Sequence, residues 1–210
     1  MWALVDDADN VTEIIAHPKS LIIDDIRHPK KIFSAWTDAE KRAIGLYEVT
    51  PASKFDESYY INSNASYAKV GTKVVETITK VADKALADVN EVDENGDPLL
   101  DDDGVQVVTL GLKSNAKNKA TTQANGYLQG FEWLIARKVT ANTAIPSAIT
   151  TYMAAIRTDH GNICTALDAA SDMAAFIALH TTTYNEDEDG NITVNVIAKT
   201  QSWTSDANVK

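Results

Sequence analysis

The chain has 210 residues, enough for one sizeable domain or two small ones, and its 44% hydrophobic and 23% charged contents are ordinary for a globular protein. Its formal net charge of -11 disfavours duplex nucleic acid as a partner, because phosphate binding needs clustered Lys and Arg. The single cysteine excludes an intrachain disulfide, and no apolar run approaches the ~18 residues that suggest a membrane span.

The first fifty residues predict a small β-rich unit with one short helix. Apolar runs at residues 2–5 and 11–15 flank an Asp- and Asn-rich segment, which predicts a hairpin because both residue types tolerate turn geometry. A shorter hairpin is expected around residues 24–25. Thr37 and Glu40 have the spacing of a capping box, and Gly45 is placed to end the helix in left-handed geometry.

Residues 51–89 predict further extended structure with a turn at Gly71, although residues 80–88 also fit a helix. The following stretch is acidic and rich in turn-forming residues, so we expect residues 90–109 to form a linker. This linker would separate an N-terminal domain at residues 1–89 from the second half of the chain.

The second half predicts a pair of antiparallel helices. An apolar stripe with helical spacing begins at Leu112, and Gly126 and Gly130 lie one turn apart within it. Close helix packing is the expected reason for these glycines, and a kink is the alternative. Pro146 suits the start of the second helix, and Ser171 is expected to cap a third, shorter one.

The expected fold class is therefore α+β. The predicted order is a β-rich domain with one short helix at residues 1–89, the acidic linker at 90–109, a helical hairpin domain at 110–180, and an extended or β tail at 181–210. Residues 192–197 carry the strand character of that tail.

The sequence predicts no catalytic residue, no cofactor and no metal ligand. Cys164 is expected to be a small buried residue, because no His is placed as an obvious partner. Asn185, Asp187 and Asp189 imitate the start of a calcium-binding loop, but Val196 stands where such a loop needs a bidentate Glu. An acidic β-turn is the expected structure there, with a weak calcium site as the alternative.

Two ordered sets of short motifs carry a family resemblance. The first set is Met1-Trp2-Ala3-Leu4-Val5, His28-Pro29-Lys30-Lys31-Ile32-Phe33, Trp36-Thr37-Asp38-Ala39-Glu40 and Ile44-Gly45-Leu46-Tyr47-Glu48-Val49. The second is Gly111-Leu112-Lys113, Phe131-Glu132-Trp133-Leu134-Ile135-Ala136-Arg137-Lys138, Ala144-Ile145-Pro146 and Tyr152-Met153-Ala154-Ala155-Ile156-Arg157. Together they resemble small tail-associated proteins of tailed bacteriophages, the marine phage type in particular, and are similar to tail-fibre assembly proteins.

The resemblance implies a non-enzymatic structural component of a phage virion tail, made in the host cytoplasm. Such a protein would link or decorate tail fibres or the baseplate through contacts with other tail, fibre or baseplate proteins. A symmetric oligomer is expected, with neither nucleic acid nor membrane as a partner. An assembly chaperone absent from the finished virion is the alternative, and a small hydrolase or sugar-binding module is a third hypothesis.

The side chains expected to form protein–protein interfaces are aromatic residues and arginines of the two motif sets. Large aromatic rings and guanidinium groups are the side chains that most often anchor such contacts. These interface candidates are Trp2, Trp36, Tyr47, Trp133, Arg137, Tyr152 and Arg157.

Overall fold

The computed structural model describes residues 1–205 and has the predicted α+β class, with strands first, helices next and strands again at the end. The chain divides into two compact units, Met1–Asp83 and Lys84–Lys210. The boundary lies earlier than residue 89 because residues 84–88 bind the start of a helix in the second unit. The amides of Leu112 and Lys113 donate to the carbonyls of Ala85 and Leu86, at 2.9 and 3.1 Å.

The first unit is built around a five-stranded sheet. Its elements are β1 (Trp2–Val5), β2 (Val11–Ile15), β3 (Leu21–Ile23), β4 (Ile26–His28), α1 (Ile32–Ala35), α2 (Asp38–Ala43), β5 (Leu46–Thr50), β6 (Tyr60–Asn62), β7 (Ser66–Val70), β8 (Lys73–Thr77) and β9 (Lys80–Asp83). The sheet order is β2-β1-β5-β8-β7, and only the β5–β8 pair is parallel. The hairpins β1–β2 and β3–β4 confirm the two predicted from the sequence.

Side chains on the two faces of this sheet form two apolar clusters. One face supplies Leu46 and Ile15, which pack with Phe33 and Ile32 of α1. The other face supplies the second cluster, which consists of Ala3, Val5, Val49 and Val74. This division follows from the two-residue period of a strand, because neighbouring residues point to opposite faces.

Local signals position α2 as predicted. The Thr37 hydroxyl accepts a hydrogen bond from the Glu40 amide at 3.3 Å, and the Glu40 carboxylate accepts one from the Thr37 amide at 2.7 Å. Gly45 follows the helix with φ of +74°, and the Val5 amide donates to its carbonyl at 2.9 Å. A Cβ atom at Gly45 would lie 2.6 Å from the Val5 carbonyl oxygen, so this site requires glycine for both conformation and space.

Within residues 84–205, the second unit contains four helices and four short strands. In chain order these are β10 (Val89–Asn90), β11 (Val108–Thr109), α3 (Leu112–Gln129), α4 (Glu132–Ala141), α5 (Ser147–Ala169), α6 (Met173–His180), β12 (Thr183–Glu186) and β13 (Ile192–Val196). A short 3-10 turn, Lys199–Gln201, follows β13.

Helices α3 and α5 pack antiparallel, as the sequence predicts. At one end the Lys117 ammonium lies 2.8 Å from the Asp168 carboxylate, and at the other the Phe131 and Tyr152 rings meet edge to face at 5.7 Å. Ile156 is fully buried between the two helices. The apolar stripe on α5 is therefore the core of the second unit.

The glycines of α3 do not have the predicted role of allowing close packing. A Cβ atom at either Gly126 or Gly130 would meet nothing within 4 Å. The expected single long helix instead ends at Gln129, and α4 begins after Gly130 and Phe131. Ser171 was also wrong as a helix cap, because Asp172 accepts the hydrogen bond from the Ala175 amide and caps α6.

The predicted linker at residues 90–109 is a folded arrangement that we call the three-way junction (residues 89–109). Strands β10 and β11 pair as its stem, and two hairpins between them close at Val92–Pro98 and Leu100–Gln106. Its centre is a ring of three backbone hydrogen bonds. The Glu91 amide donates to the Val107 carbonyl, the Val107 amide donates to the Leu99 carbonyl, and the Leu99 amide donates to the Glu91 carbonyl, at 2.8–2.9 Å.

One side chain completes the centre of the three-way junction. The Gln106 side-chain nitrogen lies 2.7, 3.1 and 3.0 Å from the carbonyl oxygens of Glu91, Leu99 and Val107. Residues 91, 99 and 107 are eight positions apart, and so are the turns that begin at Asp93 and Asp101. The segment is thus a short repeat, which its acidic composition concealed.

Candidate interaction surfaces

The three interface candidates of the first unit are half-buried and serve its own packing. Trp2 meets Phe33 edge to face, and the Lys41 ammonium lies 4.2 Å from the centre of the Trp2 ring. Trp36 packs on the same apolar cluster, and Tyr47 packs on the cluster of the opposite face. These aromatic rings therefore hold the sheet and its helices together.

Of the candidates on α5, Tyr152 is a core residue and Arg157 is on the surface. Tyr152 is buried against Phe131 and the α3 side of the helix pair, so its ring is not available to a partner. The Arg157 side chain is exposed and donates to the Met153 carbonyl at 3.3 Å. The helical spacing of Tyr152 with Ile156 could have shown that both belong to the core.

Helix α4 carries the clearest exposed aromatic residue. Trp133 is 58% exposed and Val139 is 80% exposed, and Ile135 is exposed as well. Leu134 is the one buried apolar side chain of the helix. The Arg137 guanidinium lies 4.9 Å from the centre of the Trp133 ring, in cation–π contact. Trp133 and Arg137 lie one turn apart on one face of the helix, and Ile135 and Val139 lie on the opposite face. We call Trp133 and Arg137 the α4 surface.

Two further apolar surfaces, which the sequence did not indicate, lie on the three-way junction and on the hairpin of β12 and β13. The junction exposes valines and leucines of all its arms, namely Val89, Val92, Leu99, Leu100, Val105 and Val108. The β12–β13 hairpin exposes every residue of both strands. Alternating apolar residues at 192, 194 and 196 predicted a strand, but exposure depends on what else packs there.

The aspartate side chains of the acidic turns accept hydrogen bonds from backbone amides of the same turn. Four turns share one hydrogen-bond pattern, and they begin at Asp6, Asp93, Asp101 and Asp187. In each turn the carboxylate of this first Asp accepts hydrogen bonds from the backbone amides two and four residues later, at 2.8–3.0 Å. Hydrogen bonds from Asn191, through its side chain and its backbone, lower the pKa of Asp187. The calcium-like segment 185–189 is thus an Asx-type hairpin turn.

The structure brings Cys164 close to a histidine, which the sequence analysis did not foresee although residues four apart share a helix face. The His160 Nε2 atom lies 3.5 Å from the Cys164 sulfur and 3.0 Å from the Thr121 hydroxyl. That hydroxyl also donates to the Lys117 carbonyl at 2.9 Å. Burial raises the pKa of the Cys164 thiol, which disfavours the reactive thiolate form.

Each unit has at least one surface cavity. A cavity of about 360 Å³ beside the start of α5 is lined by Ser147, Ala148, Thr151, Tyr152, Ala155, Thr204 and Ser205. A second, of about 520 Å³ in the first unit, is lined by Trp2, Pro18, Lys30, Lys31, Phe33 and Ser34. The first is lined by no charged side chain. In the second, the Ser34 hydroxyl donates to the Lys31 backbone carbonyl at 3.2 Å.

Within residues 1–205, no three His, Cys, Asp or Glu side chains converge as a metal site. In the same part of the chain, no helix has the length and hydropathy needed to cross a bilayer. Comparison with family models, curated proteins and solved structures gave no match to this chain.

Proposed function

We propose that this chain is a non-enzymatic structural component of a phage virion tail, which links or decorates fibres or the baseplate through protein–protein contacts. The observation that carries the proposal is the exposure of apolar side chains on α4, on the three-way junction and on the β12–β13 hairpin. Large exposed apolar areas on a folded protein usually mark places where another protein binds. The motif resemblance supplies the tail as the setting.

The α4 surface is the proposed contact with a neighbouring tail protein. A ten-residue helix that buries one apolar side chain gains little stability from its own chain. An exposed Trp beside an Arg is also the combination most enriched at the energetic centres of interfaces. The partner would bring an apolar groove, rimmed by acidic groups that can pair with Arg137.

Mass spectrometry of purified particles of the encoding phage tests the assignment. We expect the chain in stoichiometric amounts. Its absence from particles, together with clear expression in infected cells, would overturn the structural role and favour the assembly chaperone.

A pair of variants tests the α4 surface. Trp133→Ala should reduce the amount of the chain in particles at least tenfold while leaving its melting temperature nearly unchanged, because the ring is exposed. Lys138→Ala on the same helix is the matched control and should be incorporated normally. Equal incorporation of both variants would remove α4 from the proposal.

A further inference from the structure

The hairpin of β12 and β13 has one apolar face that other described residues leave exposed. Tyr184 pairs with Val194 and Glu186 with Ile192, so these four side chains share a face. Tyr184 is 60% exposed and Ile192 is 69% exposed. Asn185 and Thr193 are paired on the opposite face, which is polar. The hairpin is thus amphipathic, and an isolated two-stranded hairpin is marginally stable in water.

Charge is distributed unevenly along the apolar face. Glu186 and the turn residues Asp187, Glu188 and Asp189 put four carboxylates at one end, whereas Ile192–Val196 contains no charged residue. Two hairpins packed in the same direction would bring their acidic ends together. In the antiparallel direction, a five-residue strand separates the two turns by about 17 Å, roughly twice the Debye length of about 8 Å at physiological salt.

The same face also has complementary polar groups. Its side-chain donor is the Tyr184 hydroxyl and its side-chain acceptor is the Glu186 carboxylate, two residues apart on β12. In an antiparallel pair of identical faces, the Glu186 carboxylate of each copy would lie near the Tyr184 hydroxyl of the other copy. The chain already uses this pairing on another hairpin, where the Tyr67 hydroxyl donates to Glu76 at 2.8 Å. A two-fold contact requires this kind of self-complementary patch.

We propose that the apolar face of the β12–β13 hairpin packs against the same face of a second copy of this chain, antiparallel and across a two-fold axis. The contact covers Tyr184, Ile192 and Val194 of both copies. The contact uses no residue of α4. The inference deepens the symmetric assembly within the proposed function by naming its contact.

Matched lysine variants of the full-length chain test this contact. The measurement is the dimer dissociation constant from light scattering and analytical ultracentrifugation. Val194→Lys should raise the dissociation constant at least tenfold, because the lysine places a charge in the apolar face. Thr193→Lys, next to it on the polar face, should leave it within about twofold. Circular dichroism and melting temperature should be unchanged for both variants, since both side chains are exposed.

A wild-type chain that stays monomeric up to high micromolar concentration would overturn the proposal. So would a Val194→Lys variant that dimerises as tightly as the wild type, since the contact would then lie elsewhere. Oxidative crosslinking gives a second measurement. In a Cys164→Ser background, an equimolar mixture of Ile192→Cys and Val194→Cys chains should form a disulfide-linked dimer, and Thr193→Cys should not.

These outcomes are independent of the virion assignment. A dimer whose chain is missing from purified particles would retain this contact and lose the tail role. A chain that is monomeric in solution but present in particles would keep the tail role and lose this contact.

Discussion

At the residue scale, the most demanding position is Gly45, which needs both a left-handed backbone and empty space. Gly71 has a similar φ of +60°, but a Cβ atom there would meet nothing within 4 Å. The two glycines therefore separate conformational strain from steric conflict.

We predict that Gly71→Ala costs about 1–2 kcal/mol of unfolding free energy, the usual cost of a left-handed alanine. Gly45→Ala should cost clearly more, because its Cβ atom would also lie 2.6 Å from the Val5 carbonyl oxygen. Urea unfolding of both variants measures the difference. Equal losses would mean that β1 moves away from Gly45 without cost.

Glu40 gives the first unit a defined response to acid. Hydrogen bonds from the Thr37 amide, and then from its hydroxyl, lower the pKa of Glu40 below its ordinary value of 4.5. The folded state therefore binds this proton less readily than the unfolded state does. The stabilisation is complete above pH 4.5 and is lost as the pH falls through the lowered pKa.

We predict that Glu40→Gln has a shallower loss of stability than the wild type below pH 4.5. Thermal unfolding of both proteins across that range is the measurement. Glu57→Gln, a substitution at an exposed carboxylate outside the capping box, is the control. A Glu40 that titrates at its ordinary value in NMR would contradict the assigned cause.

At the element scale, helix α3 contains a glycine without a packing role. Gly126 is exposed, and no neighbouring atom would meet an added Cβ atom. Glycine inside a helix costs roughly 0.5–1 kcal/mol relative to alanine, because the unfolded chain loses more conformational freedom.

Gly126→Ala should therefore stabilise the second unit by about 0.5–1 kcal/mol. Gly104→Ala provides the opposite control, since its surroundings are equally open but its φ is +77°. That variant should be destabilised. Differential scanning calorimetry distinguishes the two signs, and a destabilised Gly126→Ala would indicate a contact made only in an assembly.

The three-way junction depends on a donor at Gln106. A glutamate there cannot donate and would put negative charge beside three carbonyl oxygens. We predict faster hydrogen exchange at the Glu91, Leu99 and Val107 amides in Gln106→Glu, by about two- to tenfold, since a lost hydrogen bond costs roughly 0.5–1.5 kcal/mol. Gln123→Glu on exposed α3 is the control and should leave these amides unchanged.

Elements coded by neighbouring residues could be predicted from the sequence, and those that depend on distant packing could not. The capping box at Thr37 and the hairpin β1–β2 follow from residues within a few positions of each other. The end of α3 at Gln129 could not be foreseen, because its apolar stripe continues through Phe131 and Ile135. Of the interface candidates, Trp133 lies on the surface, whereas Tyr152 is a core residue because α3 packs against α5.

At the scale of the whole molecule, the net charge of -11 opposes the contact between identical chains. The apolar contact proposed for the β12–β13 hairpin must form against this repulsion. Salt screens the repulsion and leaves apolar burial largely unaffected, so added salt should strengthen the association of identical chains.

We predict that self-association becomes tighter as salt rises from about 0.01 M to about 1 M, where the screening length falls from about 30 to about 3 Å. Sedimentation velocity at matched protein concentrations is the measurement. Weaker association at high salt would indicate a contact built on ion pairs instead.

The three-way junction also has a consequence for the time course of folding. All of its hydrogen bonds connect residues within the segment 89–109, and hairpins of this size close in about 1–10 μs. Strands β5 and β8 pair in parallel, so their pairing requires the intervening segment to cross over first and is slower. The junction can therefore close early and independently of the sheet. On the ribosome, the residues that precede α3 would then already be gathered when the helix emerges.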